Sequence, residues 1–218
     1  MLAVLVAYYA APQFAAMLHR IADFKRAHGI PFIVLSTILA ASILPEIFVV
    51  FFFQRGHVRA ENLRNILFTA PIWAVDGITV DLLYRGLAGW LGDVATVPVV
   101  LAKICIDQFG YNIFFAAPYG VVAYQWKNSG FSFGALRQSL AWSTYRDKVI
   151  PTLFTTWAVW IPLMAIIYSL PLALQFPLFS LALTFWVLLL TYMTNRFAGK
   201  AGRPDAVVPV ELEPKLAR

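Results

Sequence analysis

Long apolar runs separated by short polar segments dominate the chain. A membrane-crossing helix needs about 20 mostly apolar residues. Five runs meet that length: about Ile30 to Phe53, Asn65 to Trp90, Thr96 to Trp126, Val149 to Leu172, and Phe176 to Asn195. Residues 1–18 form a shorter run broken by Pro12, which either spans or lies at the membrane interface. Pro45 and Pro118 are expected to kink their helices, because proline lacks an N–H and its ring crowds the preceding turn. The third run, near 30 residues, exceeds the hydrocarbon thickness and is expected to tilt, kink or project.

Between the third and fourth runs, Phe133, Leu136 and Leu140 recur at helical spacing, with Arg137, Gln138 and Ser139 on other faces. The pattern predicts an amphipathic helix over 131–147 lying in the interface, flanked by Trp126 and Trp142. The expected fold class is all-α: a polytopic transmembrane helical bundle of five strong spans, a sixth N-terminal span left open, and one interfacial amphipathic helix. Residues 1–195 are expected to form one domain. Residues 196–218 are expected to form a polar, weakly ordered tail.

Composition supports lipid as the solvent. The chain has 218 residues, of which 61% are hydrophobic and 13% charged, and its mean hydropathy is +0.72. Soluble domains carry roughly 45–50% apolar and about 25% charged residues. The net charge of +6 does not point to nucleic acid, because the basic residues sit in short segments between apolar runs. That placement fits an orientation signal and anionic headgroups. Arg20, Lys25, Arg26 and Arg85 fall on one side. Arg55, Arg59, Arg64, Lys127, Arg137, Arg146, Lys148, Arg196, Lys200, Arg203, Lys215 and Arg218 fall on the other. The positive-inside rule then places the C-terminus on the cytoplasmic or matrix side. The expected membrane is a bacterial inner membrane, or a mitochondrial inner or peroxisomal one. The N-terminal run lacks the basic region of a secretory signal, and no lipidation motif occurs. No repeat of 20–50 residues and no inverted pair of broken helices is present.

Soluble-enzyme signatures are absent: there is no GxxxxGK[ST], GxSxG, HExxH or CxxC. His19, His28 and His57 sit in separate segments, so neither a metal site nor another cofactor is expected, and the chain is not expected to be an enzyme. The lone Cys105 permits no intrachain disulfide and is expected to be a small buried hydrophobe.

The informative residues are polar groups inside the apolar runs, because a charge at membrane depth is costly and normally faces a partner or water. These are Glu46, Asp76, Asp81, Lys103 and Asp107, with formal sum −3. Lys103 and Asp107 are four apart, share a helix face and are expected to pair, with Tyr111 continuing that face. Asp81 and Arg85 have the same spacing. Gly77, Asp81 and Tyr84 form a stripe on which Gly77 would admit a second helix closely. Two readings are open: ion pairs that hold helices together, or a hydrated path through them.

At these residues the chain resembles the Mpv-seventeen and peroxisomal membrane protein twenty-two family. The resemblance runs from about Glu61 to Asn195. It rests on Glu61 and Arg64; on Gly77, Asp81 and Tyr84, with Ile78 at a usual Pro and Asp81 at a usual His; and on Lys103, Asp107 and Gln108, which keep that signature in full. Ile113 stands at a usual Pro. Trp160, Tyr168 and Pro171 match an aromatic–Tyr–Pro pattern, with Gln175 at a usual Arg. Trp186, Thr191 and Tyr192 match the closing pattern, with Val187 at a usual Asn. The resemblance implies a small helical bundle of the mitochondrial inner or peroxisomal membrane. That bundle would form a pore for small solutes or ions and act in organelle metabolite balance and stress response. No catalytic residues transfer.

The leading expectation is a pore lined by Asp81, Tyr84, Lys103, Asp107 and Gln108, with Asp76 and Glu46 also on or near the path, and with acidic residues favouring cations. The alternative is a non-conducting scaffold or assembly partner. The expected partners are the lipid bilayer and a small solute or cation; self-association into a homo-oligomer is left open.

Overall fold

The computed structural model describes residues 2–200, with side-chain surroundings for residues 2–192. Every regular element among them is helical. We number these α1 (Leu2–Ala10), α2 (Pro12–Phe52), α3 (Ala60–Leu91), α4 (Val97–Asn128), α5 (Phe133–Ser139), α6 (Trp142–Tyr168) and α7 (Leu172–Lys200). Five of them, α2, α3, α4, α6 and α7, are long and apolar enough to cross a membrane. At ~1.5 Å per residue, the 32 residues of α3 reach about 48 Å, beyond the ~30 Å of a hydrocarbon core.

The first 18 residues divide differently from the expectation. Leu2–Ala10 is a nine-residue helix, too short to cross on its own, and Pro12 already opens α2. Thus α2 begins well before Ile30. It breaks at Gly29, whose φ of 51° and ψ of −127° leave the helical region, and Pro31 follows within a turn. Glycine takes that conformation without the Cβ clash that other residues meet. Tyr9 anchors α1 by donating its hydroxyl to the Ser169 carbonyl at 2.8 Å.

Proline marks three further irregularities. Residues 39–43, 107–116 and 145–149 adopt the wide π-helical turn. Each stretch is followed by a proline, at Pro45, Pro118 and Pro151. The carbonyls that these prolines cannot bond, at Ala41, Phe114 and Asp147, all lie inside the wide turns. Widening the turn relieves the clash between the ring and the carbonyl four residues back. Pro71, Pro162 and Pro177 sit inside helix without such a stretch.

Local polar groups set several ends. Asn62 Oδ1 accepts the Arg59 N–H at 2.8 Å just before α3, half of a capping box. Gly92, at φ 86°, closes α3. The Asp93 carboxylate accepts the Leu172 N–H at 3.2 and 3.3 Å, a cap on α7 supplied by the loop after α3.

The segment 131–147 is not one amphipathic helix. Helix α5 ends at Ser139, and Trp142 starts α6. Ser139, expected on a polar outer face, is buried and donates to Ala135 O at 2.8 Å and Gln125 Oε1 at 3.2 Å. Phe133, Leu140 and Trp142 are all exposed. The tail expected from residue 196 begins inside α7; its remainder, 201–218, lies outside the described residues.

The chain's contacts group into two units. The first comprises Met1–Phe32 and Ile78–Phe179. Its interior holds Tyr84, Met164, Ile167, Tyr168, Leu174 and Phe176, with a satellite of Ala117, Val149 and Leu153 packed by Ile113, Val121, Tyr145 and Trp157. The second comprises Ile33–Gly77 and the chain from Ser180 onward. There, a Cβ added at Gly77 would come within 2.6 Å of Thr37 Cγ2, so α2 and α3 touch at a position that admits no larger residue without movement. Both units turn large apolar side chains outward, among them Phe114, Phe154 and Trp90 in the first, and Phe51, Phe52 and Leu67 in the second.

Candidate functional site

The first unit gathers Asp81, Tyr84, Lys103, Asp107 and Gln108, all of them buried. The second holds Glu46, Asp76 and Gly77. Glu46 is half-buried and accepts the Asn62 side-chain amide at 2.7 Å, and Asp76 is also half-buried. The five polar residues of the first unit form two clusters, each centred on a carboxylate.

Around Asp81 the partners are cations. Lys25 Nζ on α2 lies 2.5 Å from Oδ1, and Arg85 Nε, one turn along α3, lies 2.8 Å from Oδ2. The Asp81 side chain is 3% exposed, that of Lys25 13%, and that of Arg85 55%. Lys25 also stands 5.0 Å over the Phe176 ring, a cation–π contact. A carboxylate this buried needs compensation, and two cations supply it.

Around Asp107 the partners are neutral. Tyr168 donates its hydroxyl to Oδ2 at 2.7 Å, and Gln108 Nε2 donates to Oδ1 at 3.1 Å. Asn112 Nδ2 donates to Gln108 Oε1 at 3.2 Å, and Trp157 Nε1 donates to the Gln108 carbonyl at 3.1 Å. The chain of donors thus runs from Asn112 through Gln108 to the carboxylate. Tyr84 packs edge-on to Tyr168 at 5.3 Å and donates to Met164 Sδ at 3.5 Å. The Tyr111 hydroxyl meets Thr79 Oγ1 at 2.7 Å.

The expected ion pair between Lys103 and Asp107 does not form. Among the described residues no basic group lies within 4.0 Å of Asp107. The turn between them is regular, with the Asp107 N–H bonding the Lys103 carbonyl, so it is the side chains that part. Tyr168 then takes both partners: its hydroxyl satisfies Asp107, and its ring lies 6.0 Å from Lys103 Nζ.

Charge pairing changes accordingly. In the first unit, Lys25 and Arg85 pair with Asp81, whereas Lys103 and Asp107 stand near each other unpaired. Lys25 and Tyr168 were invisible as partners from spacing, because each reaches its carboxylate from a different helix. Arg85 was visible at four residues from Asp81. Cys105 is exposed rather than buried. It sits two residues from Lys103, on a different face of α4. Among the described residues no group of three His, Cys, Asp or Glu side chains is arranged to hold a metal.

The chain matches no family model, no curated protein and no solved structure.

Proposed function

We propose that this chain is a polytopic integral membrane protein whose first unit provides a polar path for small solutes or ions. The observation that carries the reading is Lys103. It is 2% exposed, yet donates to no carboxylate, carbonyl or hydroxyl among the described residues. An ionised lysine held at membrane depth without a protein acceptor is costly unless water or a solute reaches it. The outward-facing aromatic and aliphatic side chains of the five long helices support lipid as the surrounding phase. The asymmetric distribution of Lys and Arg supports a C-terminus on the cytoplasmic or matrix side. The retained Lys103, Asp107 and Gln108 signature supports divergent membership of the Mpv-seventeen and peroxisomal membrane protein twenty-two family, and with it an organellar or bacterial inner membrane. Phe133, Leu140 and Trp142 have the exposure of an interfacial anchor near α5.

Reconstitution in planar bilayers tests the path. Purified protein gives conductance above protein-free bilayers, and Asp81→Asn and Asp107→Asn shift its ion preference. Absence of conductance, or a preference indifferent to both changes, overturns the reading.

One observation favours a second reading, a non-conducting assembly partner: the oxygens of Asp81 and Asp107 already meet protein groups at 2.5–3.1 Å. Stoichiometric co-purification of one partner, together with silent bilayers, is the outcome that reading requires.

A further inference from the structure

We infer that Lys103 is an anion-recognition point, and that the solute it takes carries a compact oxyanion, a carboxylate or a phosphate. The inference deepens the solute-path reading and rests on it, so binding is measured separately from conductance.

A lysine ammonium carries three N–H groups and accepts nothing. The neighbour of Lys103 is the Tyr168 ring, 6.0 Å from Nζ. A ring face offers a cation weak attraction and takes up no N–H donor fully. The other two cations beside the Asp81 and Asp107 carboxylates are occupied: Lys25 and Arg85 both face Asp81. Each oxygen of Asp107 already accepts one hydrogen bond, from Tyr168 and from Gln108. Of these three cations, Lys103 alone has no carboxylate within 4.0 Å among the described residues.

Position sets the approach. Lys103 lies six residues into α4, about 9 Å along the helix axis from Val97. The loop at that end carries exposed Asp93. Asp93 is itself engaged by the Leu172 N–H. That carboxylate is thus held at the start of α7, and the Lys103 ammonium keeps its donors for an incoming anion. A compact oxyanion accepts several N–H bonds at once, and such charge-assisted bonds are shorter and stronger than neutral ones. A solute phosphate and a lipid headgroup phosphate share this chemistry.

The test is thermal unfolding of the full-length protein in a maltoside detergent, titrated with inorganic phosphate in the low millimolar range at constant ionic strength. Wild type is stabilised saturably. Lys103→Arg retains the effect, and Lys103→Met weakens the apparent affinity at least tenfold. If Lys103→Met does not fold, Lys103→Gln, which keeps donors but no charge, carries the test and should weaken the apparent affinity likewise, with chloride replacing phosphate as the control that gives no saturation. A second arm adds phosphatidylglycerol. Loss of the phosphate response then assigns the site to a headgroup, and its persistence assigns it to a free solute; either result supports oxyanion recognition at Lys103. A phosphate response that is absent, non-saturating or equal in Lys103→Met overturns the inference. Phosphate binding that depends on Lys103 in a protein with silent bilayers would retain the site and reject the path.

Discussion

Asp81 and Asp107 are both acidic, both buried in the same unit, and held by different physics. Asp81 is met by two formal charges, Lys25 from α2 and Arg85 from its own helix. Asp107 is met by a phenol and an amide, with Asn112 behind the amide. Charge compensation is strong but conditional: removing one partner leaves a desolvated ion. Neutral hydrogen bonds fix geometry while leaving the net charge in place. The first arrangement clamps helices; the second keeps a charge available to its surroundings.

Removing Lys25 should break the comparison most severely. Lys25→Met leaves Asp81 with the half-exposed Arg85 alone, and the expected loss is about 3–5 kcal/mol. Reversible unfolding in mixed micelles measures it. Adding Asp81→Asn to Lys25→Met should recover at least half, because no buried charge is then stranded. Equal instability of the single and double variants would show that Lys25 acts through packing on Phe176.

Tyr168→Phe sharpens the other side. It keeps the ring against Tyr84 and removes the hydroxyl that donates to Asp107, at an expected cost of about 1.5–3 kcal/mol for a bond to a charged group. A cost near zero would mean that water replaces the phenol.

Gly77→Ala, in the second unit, provides a contrast free of charge. The added methyl meets Thr37 and should cost about 1–3 kcal/mol, relieved by Thr37→Ala. Failure of that relief would place the strain elsewhere.

The smallest effect is expected at Arg85. Its side chain is 55% exposed, so Arg85→Gln should cost no more than about 1 kcal/mol, and added salt should narrow the gap to wild type. A loss as large as that of Lys25→Met would make Arg85 the principal partner and invert the comparison.

What the sequence could reveal follows from the range of each interaction. Helix type and the five long apolar runs are local properties, and α3, α4, α6 and α7 fall close to their expected positions. The pair Asp81 and Arg85 is local too, four residues apart on one helix. Lys25 was read only as a loop charge, because nothing within its own segment announces a carboxylate on another helix. The Lys103–Asp107 spacing misled because Tyr168, on another helix, takes the Asp107 carboxylate, and no spacing within α4 announces that. Pro118 was legible as an irregularity, but not the ten-residue length of the disturbance before it. The helix over 131–147 failed for a related reason: its apolar spacing continued across residues 140–141, where the chain leaves α5 before starting α6. Exposure of Cys105 follows from its helix face, since Lys103 turns inward and Cys105 does not.

That single cysteine offers the most direct test of the central claim, that lipid covers the outward apolar face while ionised groups turn inward. Protein in sealed vesicles is treated with a charged, membrane-impermeant maleimide added to both faces. Native Cys105 should stay unlabelled until the vesicles are dissolved and the chain unfolded in SDS. Val94→Cys, placed in the exposed loop of a Cys105→Ala background, should label at once. Labelling of Cys105 in intact vesicles as fast as that of the loop cysteine would contradict the account.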